Sequence, residues 1–383
     1  MQVTIAVKDL TSVLKPHQDV LDGRPEVVTG HIGISTDGSQ LKLVSTNMEL
    51  WVTSRTDAVQ VSKQGGCAIP GAVLSKIIAT LPGDTQLQLT AGESNHVVVS
   101  WNKSHTKLYG IGMDQFPDQP EMNPAFSFML PAVSACRVFG KAAFATDDIR
   151  PVLTGIHLCY DGTDLIAISC NGILLSVYRE EVKVEGEHTG VTIPKLAAKL
   201  IAQSGQQFDG TVSFAVSANS LVAEIGSIKI ATSLLGGTYP TQVLDFVPQE
   251  YQCEAVVSRE ELKHCIKRMA ALYHNKLPKV VGLCASDGIV SCTSIGASRG
   301  DIEDYCSASP VVGNARVFFD LDLLNKIVDA VDSERIVLQL NEVCEADQKR
   351  PPMSRIIPLG FPGMKEKAGY EFFGGIMPVR PPV

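Results

Sequence analysis

The sequence predicts an α+β protein built from three tandem copies of one unit, each laying two helices on antiparallel sheets. Three recurrent markers carry this reading. Asp-Gly pairs at 37–38, 161–162 and 287–288 each separate two alternating apolar runs, with steps of 124 and 126 residues. Alternation on both sides of Asp-Gly is a strong hairpin signal. Ile69-Pro70, Ile193-Pro194 and Phe319-Asp320 precede helix-patterned runs at the same two steps. Phe116-Pro117, Tyr239-Pro240 and Met377-Pro378 close the units, with steps of 123 and 138.

Each unit opens on a strand (Val3–Val7, Ala125–Met129, Glu254–Val257) and a helix, about 8–18, 131–143 and 258–271. Pro16 should cut the first helix short, and Ser258-Arg-Glu-Glu261 has the pattern of a capping box. The Asp-Gly hairpin follows, then a second helix at 70–80, 194–203 or 321–331, then more strands. The expected domains are 1–122, 123–250 and 251–383. The longer last step puts about a dozen extra residues in the third unit, expected as a loop insertion at about 341–374, where Pro, Gly and charge concentrate.

With 45% hydrophobic residues the 383-residue chain is not of the disordered or collagen-like class. It has no run of the roughly 18 apolar residues that a membrane helix needs. Its first residues read as a strand rather than a signal peptide, so a cytoplasmic setting is expected. The ten cysteines show no C-x-x-C and the eight histidines no ligand spacing. The cysteines are expected to be small buried hydrophobes, with no metal and no cofactor.

The formal charge is −8, but it is unevenly placed. The six expected helices hold twelve bases and five acids, a net +7. The remaining 21 bases and 36 acids make the rest of the chain −15. Helix propensity alone would bring Glu as readily as Lys, yet only two of the helical acids are Glu. A basic helical layer suits sequence-blind contact with a phosphate backbone. Neither basic–aromatic interleaving nor a helix-turn-helix or finger spacing is present, so the expected partner is duplex DNA read by charge and shape.

Gly296-Ala-Ser298-Arg-Gly300 matches the G-x-S-x-G nucleophile elbow, which needs a strand before it and a helix after it. The repeat register makes the following residues another strand, so a serine hydrolase using Ser298 is only the alternative reading. A transcriptional or storage protein with repeated domains is a third. Gly110-Ile-Gly112 lacks a third glycine and no G-K-[ST] exists, so no nucleotide site is supported. No catalytic residue is assigned, and the chain is read as a non-enzyme.

Four strings bring a family into view. Ala145-Thr-Asp-Asp-Ile-Arg-Pro-Val-Leu-Thr-Gly-Ile156 resembles the run that opens the second domain of bacterial sliding clamps, the beta subunit of DNA polymerase III. Leu234-Leu-Gly-Gly-Thr-Tyr-Pro240, Met377-Pro-Val-Arg380 and Asp22-Gly-Arg-Pro25 are similar to other strings of that family. The resemblance spans the chain. It implies three DNA-clamp domains per chain and a head-to-tail homodimeric ring around duplex DNA. It also implies a processivity role with no chemistry of its own, although the family is often assigned the polymerase's nucleotidyltransferase activity.

The implied partners are the replicative polymerase catalytic subunit, a clamp-loader ATPase and other clamp-binding peptides. DNA contacts are expected from Arg24 and Lys195 by resemblance, and from Arg137, Lys141, Lys199, Lys263 and Lys267 in the basic layer. The implied peptide groove is Leu153, Thr154, Cys170, Gly172, Leu174, Leu175, Pro240, Phe246, Leu277, Leu323, Met377, Pro378 and Val379. Implied dimer contacts are Leu108, Ala271 and Leu272, against a core role for the two leucines. Where the family presents a His-Arg pair, this chain has Ile173 and Leu174, so one groove rim is expected to lose donors. The second helix of the first domain opens on Gly71-Ala72-Val73 where the family has bases, and the chain runs past Arg380 as Pro381-Pro-Val383.

Overall fold

The structure is a computed structural model that describes residues 1–24, 26–92, 95–274, 279–343, 351–359 and 372–380. Its elements repeat as the sequence does. The first copy runs β1 (Gln2–Ala6), α1 (Val7–Leu14), β2 (His31–Asp37), β3 (Gln40–Thr46), β4 (Leu50–Thr56), β5 (Val59–Lys63), β6 (Gly66–Pro70), α2 (Gly71–Ile78), β7 (Gln86–Ala91), β8 (His96–Trp101) and β9 (Ser104–Tyr109). The second runs β10 (Phe126–Pro131), α3 (Ala132–Ala142), β11 (Gly155–Tyr160), β12 (Asp164–Cys170), β13 (Leu174–Glu181), β14 (Val184–Gly186), β15 (Val191–Pro194), α4 (Lys195–Gly205), β16 (Thr211–Val216), β17 (Ser220–Ile225) and β18 (Ile228–Ser233). The third runs β19 (Cys253–Ser258), α5 (Arg259–Ala270), β20 (Val280–Ser286), β21 (Ile289–Ile295), β22 (Glu303–Gly313), β23 (Ala315–Asp320), α6 (Leu321–Ala330), β24 (Arg335–Leu340), β25 (Ser354–Pro358) and β26 (Phe372–Ile376).

All three Asp-Gly hairpins form, and Gly38, Gly162 and Gly288 take φ of +61°, +102° and +81°, which glycine reaches without Cβ strain. Helix α1 ends at Leu14 and a 3-10 turn with Pro16 follows, because proline cannot donate to the ladder. Ser258 Oγ accepts from the Glu261 N–H at 3.4 Å, one half of the capping box. The other half does not close, since Glu261 accepts from the Ser307 N–H instead.

In the third copy one long strand, β22, does the work of two. Its first half pairs with β21 and its second half with β19, as β4 and β5 pair with β3 and β1. The expected insertion is not one loop. Strand β25 forms inside residues 341–374 and pairs with β24 and β26, so the extra residues divide between two connections. Residues 344–350 and 360–371 of that stretch lie outside the described residues.

By contact the chain forms two compact units: Met1–Cys136 with Lys183–His188 and Leu196–Leu234, and Arg137–Val182 with Thr189–Lys195 and Leu235–Val383. The middle repeat is shared because strands pair across repeat boundaries. In the first unit β18 pairs with β4, from Ile228↔Ser54 to Thr232↔Leu50. In the second β26 pairs with β13, Leu174↔Ile376 through Tyr178↔Phe372. The first unit has a core of Val3, Ile5, Leu10, Ile32, Leu74 and Leu87, gathered from sheet and helices. The second has a cluster of Leu153, Cys170, Leu175, Val177, Tyr239 and Met353. Among the described residues no helix is long and apolar enough to cross a membrane.

Candidate nucleic-acid interface and peptide groove

The amphipathic helices bury an apolar stripe and leave their bases on the other side. The bases do not all stay free. Lys195 lies 3.5 Å from Asp148, Lys199 2.8 Å from Asp19 and Arg137 3.6 Å from Asp332. Lys263 lies 2.9 Å from Asp329 and is only 17% exposed. Arg24, 71% exposed, is held at 2.6 Å by Asp22, whose carboxyl the guanidinium keeps below its usual range. Exposed ion pairs are weak, so Arg24, Lys195 and Lys199 can exchange a carboxylate for a phosphate. Lys267 is exposed, with no ion pair among the described residues, as are Lys15, Lys76 and Lys326. The last three belong to the basic layer but were not expected as contacts.

Lys141 must be struck from the expected DNA contacts. Its residue is 6% exposed, its Nζ lies 2.7 Å from Asp332 and donates to the Ala330 carbonyl at 3.3 Å, and it sits 4.7 Å from the centre of the Phe372 ring. Burial holds its pKa below the ordinary lysine value despite the partner carboxylate. The side chain is an internal tie, and Lys263, largely covered, is a marginal contact at most.

The second unit gathers much of the expected groove. Leu153, Cys170 and Leu175 share one apolar cluster with Tyr239, and Val152, Val243, Leu244, Val247 and Met377 pack half-buried against it. Tyr239 donates to Cys170 Sγ at 3.5 Å and stacks on His157 at 4.7 Å, which burial keeps neutral down to about pH 4. Asn171-Gly172 turns the chain into β13. The Asn171 side chain accepts from the N–H groups of Ile173 (3.0 Å) and Leu174 (2.7 Å), and Met377 N–H donates to the Ile173 carbonyl at 2.9 Å. Gly172 has φ +85°, and a Cβ there would meet the Arg150 guanidinium at 3.2 Å.

Two expected groove residues are misplaced. Leu174 is buried on the opposite sheet face from Leu175, because successive strand side chains alternate. Phe246 is 55% exposed and outside the cluster. From the 3-10 turn Thr241–Phe246 and the residue after it, Val243, Leu244 and Val247 are the side chains that pack on the cluster instead. Thr154, Pro240, Leu323, Pro378 and Val379 are half-buried and Gly172 exposed; Leu277 lies outside the described residues.

Arg150 is the exposed cation beside the expected groove that sequence reasoning missed. It is 54% exposed, donates to the Asn171 carbonyl and is braced by Asp147. The N–H of Ile149 and then Arg150 pull the Asp147 carboxyl down to about 2. The Asp147-x-x-Arg150 spacing was the available signal. Only Ile173, 44% exposed, adds apolar surface where the family has its His-Arg pair, and Arg150 keeps a cationic donor beside it.

Among the expected dimer contacts, Leu108 is 7% exposed within the core of the first unit, which favours its core role over the contact role. Its neighbours Lys107 and Tyr109 face out, Tyr109 at 72%. Ala271 is exposed and Leu272 half-buried. Ser298 lies between β21 and β22, in a strand-to-strand connection without the helix that an elbow requires.

Residues 1–120 match the family model for the DNA polymerase III beta subunit, N-terminal domain, and residues 136–241 that for its central domain. Beta sliding clamps of Staphylococcus epidermidis and Staphylococcus aureus are each 23% identical over 319 residues, covering 80% of this chain and 84% of theirs. A sliding clamp from Bartonella birtlesii, solved bound to griselimycin, superposes with a TM-score of 0.84 at 20% identity, covering 99% of both chains. The Bacillus subtilis polymerase sliding clamp does so with a TM-score of 0.84 at 16% identity and the same coverage.

Proposed function

Since this chain belongs to the DNA polymerase III beta subunit family, we propose that it is a sliding clamp that closes as a head-to-tail dimer around duplex DNA. The observation that carries the reading is a pair of unsatisfied strand edges. In two repeats the strand after the Asp-Gly hairpin is joined on its outer edge by the last strand of another repeat: β4 by β18, and β13 by β26. Among the described residues two counterparts remain unpaired. They are β9, at the end of its five-stranded sheet, and the outer edge of β22 alongside β21. Exposed strand edges seek partners. A second copy supplies both: β9 of one protomer joins β22 of its partner, and the reverse contact closes the assembly.

Such a closed assembly needs no sequence recognition and no strong grip. Arg24, Lys195, Lys199 and Lys267 offer exposed positive charge that exchanges among phosphates, so the duplex is held by topology while contact stays weak and mobile. The cluster around Leu153, Leu175, Val247 and Met377 offers an apolar seat for a short peptide, with Arg150 at its rim. A polymerase tethered there returns to the same DNA at high effective concentration. Opening falls to a separate ATP-driven loader. The chain itself performs no catalysis in this reading.

The test is retention by topology. Loaded on nicked circular DNA, the protein should stay bound through gel filtration and leave once the circle is linearised. Equal retention on linear and circular DNA would reject the proposal.

A further inference from the structure

Three cysteines far apart in sequence meet in the third repeat, where neither the duplex nor the peptide reading uses them. Cys265 lies on α5, Cys292 on β21 and Cys306 on β22, each at most 1% exposed. Their sulfurs all lie within 4.8 Å of one another, and Cys265 and Cys306 are 3.3 Å apart. All three are free thiols. No other group of three or more His, Cys, Asp or Glu ligands comes together this way among the described residues.

The topology builds this pocket. Cys292 stands directly opposite Asp304 in the β21–β22 register, and Cys306 is two residues further along β22. Cys292, Asp304 and Cys306 therefore share one sheet face, and Cys265 comes down onto it from α5. Arg268, one turn beyond Cys265, donates from Nη2 to Cys265 Sγ at 3.4 Å and from Nε to Asp304 at 2.5 Å.

The geometry points to a zinc site with Cys265, Cys292 and Cys306 as thiolate ligands. Tetrahedral Zn²⁺ with Zn–S of about 2.3 Å sets its sulfurs about 3.8 Å apart. Cys265 and Cys306 lie about 0.5 Å inside that value and no pair is more than 4.8 Å apart, so binding asks for changes in sulfur separation of about 1 Å or less. Three thiolates and a dication leave one negative charge, which Arg268 faces. Asp304, opposite Cys292 in the register, bonded to Arg268 and 21% exposed, is the nearest carboxylate on this sheet face for the fourth position. Binding exchanges three thiol protons for one metal ion and changes no oxidation state. The ion would fasten α5, which carries Lys267, to strands β21 and β22.

The experiment uses the full chain, reduced with a phosphine, stripped with a chelator and titrated with Co²⁺ and then Zn²⁺. One Co²⁺ per chain should bind with a thiolate-to-cobalt charge-transfer band and tetrahedral d–d bands, and one equivalent of Zn²⁺ should erase both. Cys306→Ala and Cys292→Ala should each lose the site, whereas Cys284→Ala on β20 should keep it. Zinc-edge X-ray absorption on the wild type, independent of how the variants fold, should show three sulfurs at about 2.3 Å. Cobalt without the charge-transfer band, or fewer than three sulfurs at zinc, would overturn the site. So would a Cys265–Cys306 disulfide in metal-free protein that is left unable to bind zinc after reduction.

Discussion

Lys141 and Asp332 sit 2.7 Å apart, ammonium to carboxylate, and tie the first helix of the second repeat to the turn after the last helix of the third. The two ends of the pair are unequal, because the lysine side chain is 7% exposed and the aspartate 44%. Asp332→Asn leaves a buried ammonium with the Ala330 carbonyl and the Phe372 ring, and should cost about 2 kcal/mol, less than for a fully buried pair. Lys141→Met frees a carboxylate that water already reaches, and should cost about 1 kcal/mol or less. Urea unfolding of the two variants checks the order, and the reverse order would contradict the tie.

The same placement separates Lys141 from the bases proposed to contact DNA. Every phosphate that a base neutralises contributes about 0.9 to the slope of log K against log salt. Lys267→Ala should therefore flatten the slope on duplex DNA by about 0.9, and Lys141→Met should leave it unchanged. Binding titrations at several salt concentrations read both.

Much of this was legible in the sequence because its causes are local. Asp-Gly turns, the Pro16 stop and the Ser258 cap act over a few residues, and the repeat gave the Asp-Gly signal three times. What was hidden depends on distant chain. Arg137 and Lys141 are one turn apart on α3 and equally basic in sequence, but only tertiary neighbours decide that Lys141 is covered by Asp332, Ala330 and Phe372. Leu174 and Leu175 are indistinguishable by type, and the strand alternation separates them. The cysteine trio is spread over 42 residues and meets only when α5 folds onto β21 and β22.

His17 makes stability depend on pH. It is fully buried between Ser45 Oγ (2.7 Å to Nδ1) and Ser54 Oγ (2.8 Å to Nε2), and burial lowers its pKa to about 3. Ser54 spends its proton on the Val13 carbonyl, so Nε2–H donates to Ser54 and Ser45 donates to Nδ1. The folded state keeps the ring neutral while the unfolded chain protonates near 6.5. This contribution is therefore intact above pH 6.5 and is lost progressively as pH falls toward 3. At pH 5 the loss is about 2 kcal/mol. Urea midpoints at pH 7 and pH 5 should show that loss in the wild type and a smaller one in His17→Gln.

Association and core can be separated on β9. Leu108→Ala removes a core side chain and should cost 2 kcal/mol or more of stability while leaving the dimer of folded protein intact. Tyr109→Ala on the outward face, and Leu272→Glu at the end of α5, should spare the fold and shift sedimentation toward a monomer of 41.1 kDa. A Tyr109→Ala, Leu272→Glu double variant that remains fully dimeric would place the joint elsewhere.

The proposed peptide groove yields the last prediction. Its floor is apolar, and burying a leucine-sized anchor on Leu153, Leu175, Val247 and Met377 is worth roughly 1.5–3 kcal/mol. Two such anchors supply about 3–6 kcal/mol, short of the about 8 kcal/mol of micromolar binding, so rim and backbone contacts have to supply the rest. The rim is not wholly apolar, because Arg150 stands against Gly172 and is fixed by Asp147. A peptide with a polar or acidic residue facing that rim keeps a partner, although the family's His-Arg pair is replaced by Ile173 and Leu174. Leu174, facing the other side of the sheet, should be silent. By fluorescence anisotropy with a family-type peptide, Leu175→Ala with Met377→Ala should weaken binding at least tenfold, since two truncated side chains at about 1 kcal/mol each exceed that factor. Arg150→Ala should weaken an acidic peptide more than an aliphatic one and remove most of its salt dependence. Leu174→Met should change neither. Unchanged affinity in the Leu175→Ala, Met377→Ala double variant would mean that peptides seat on another surface.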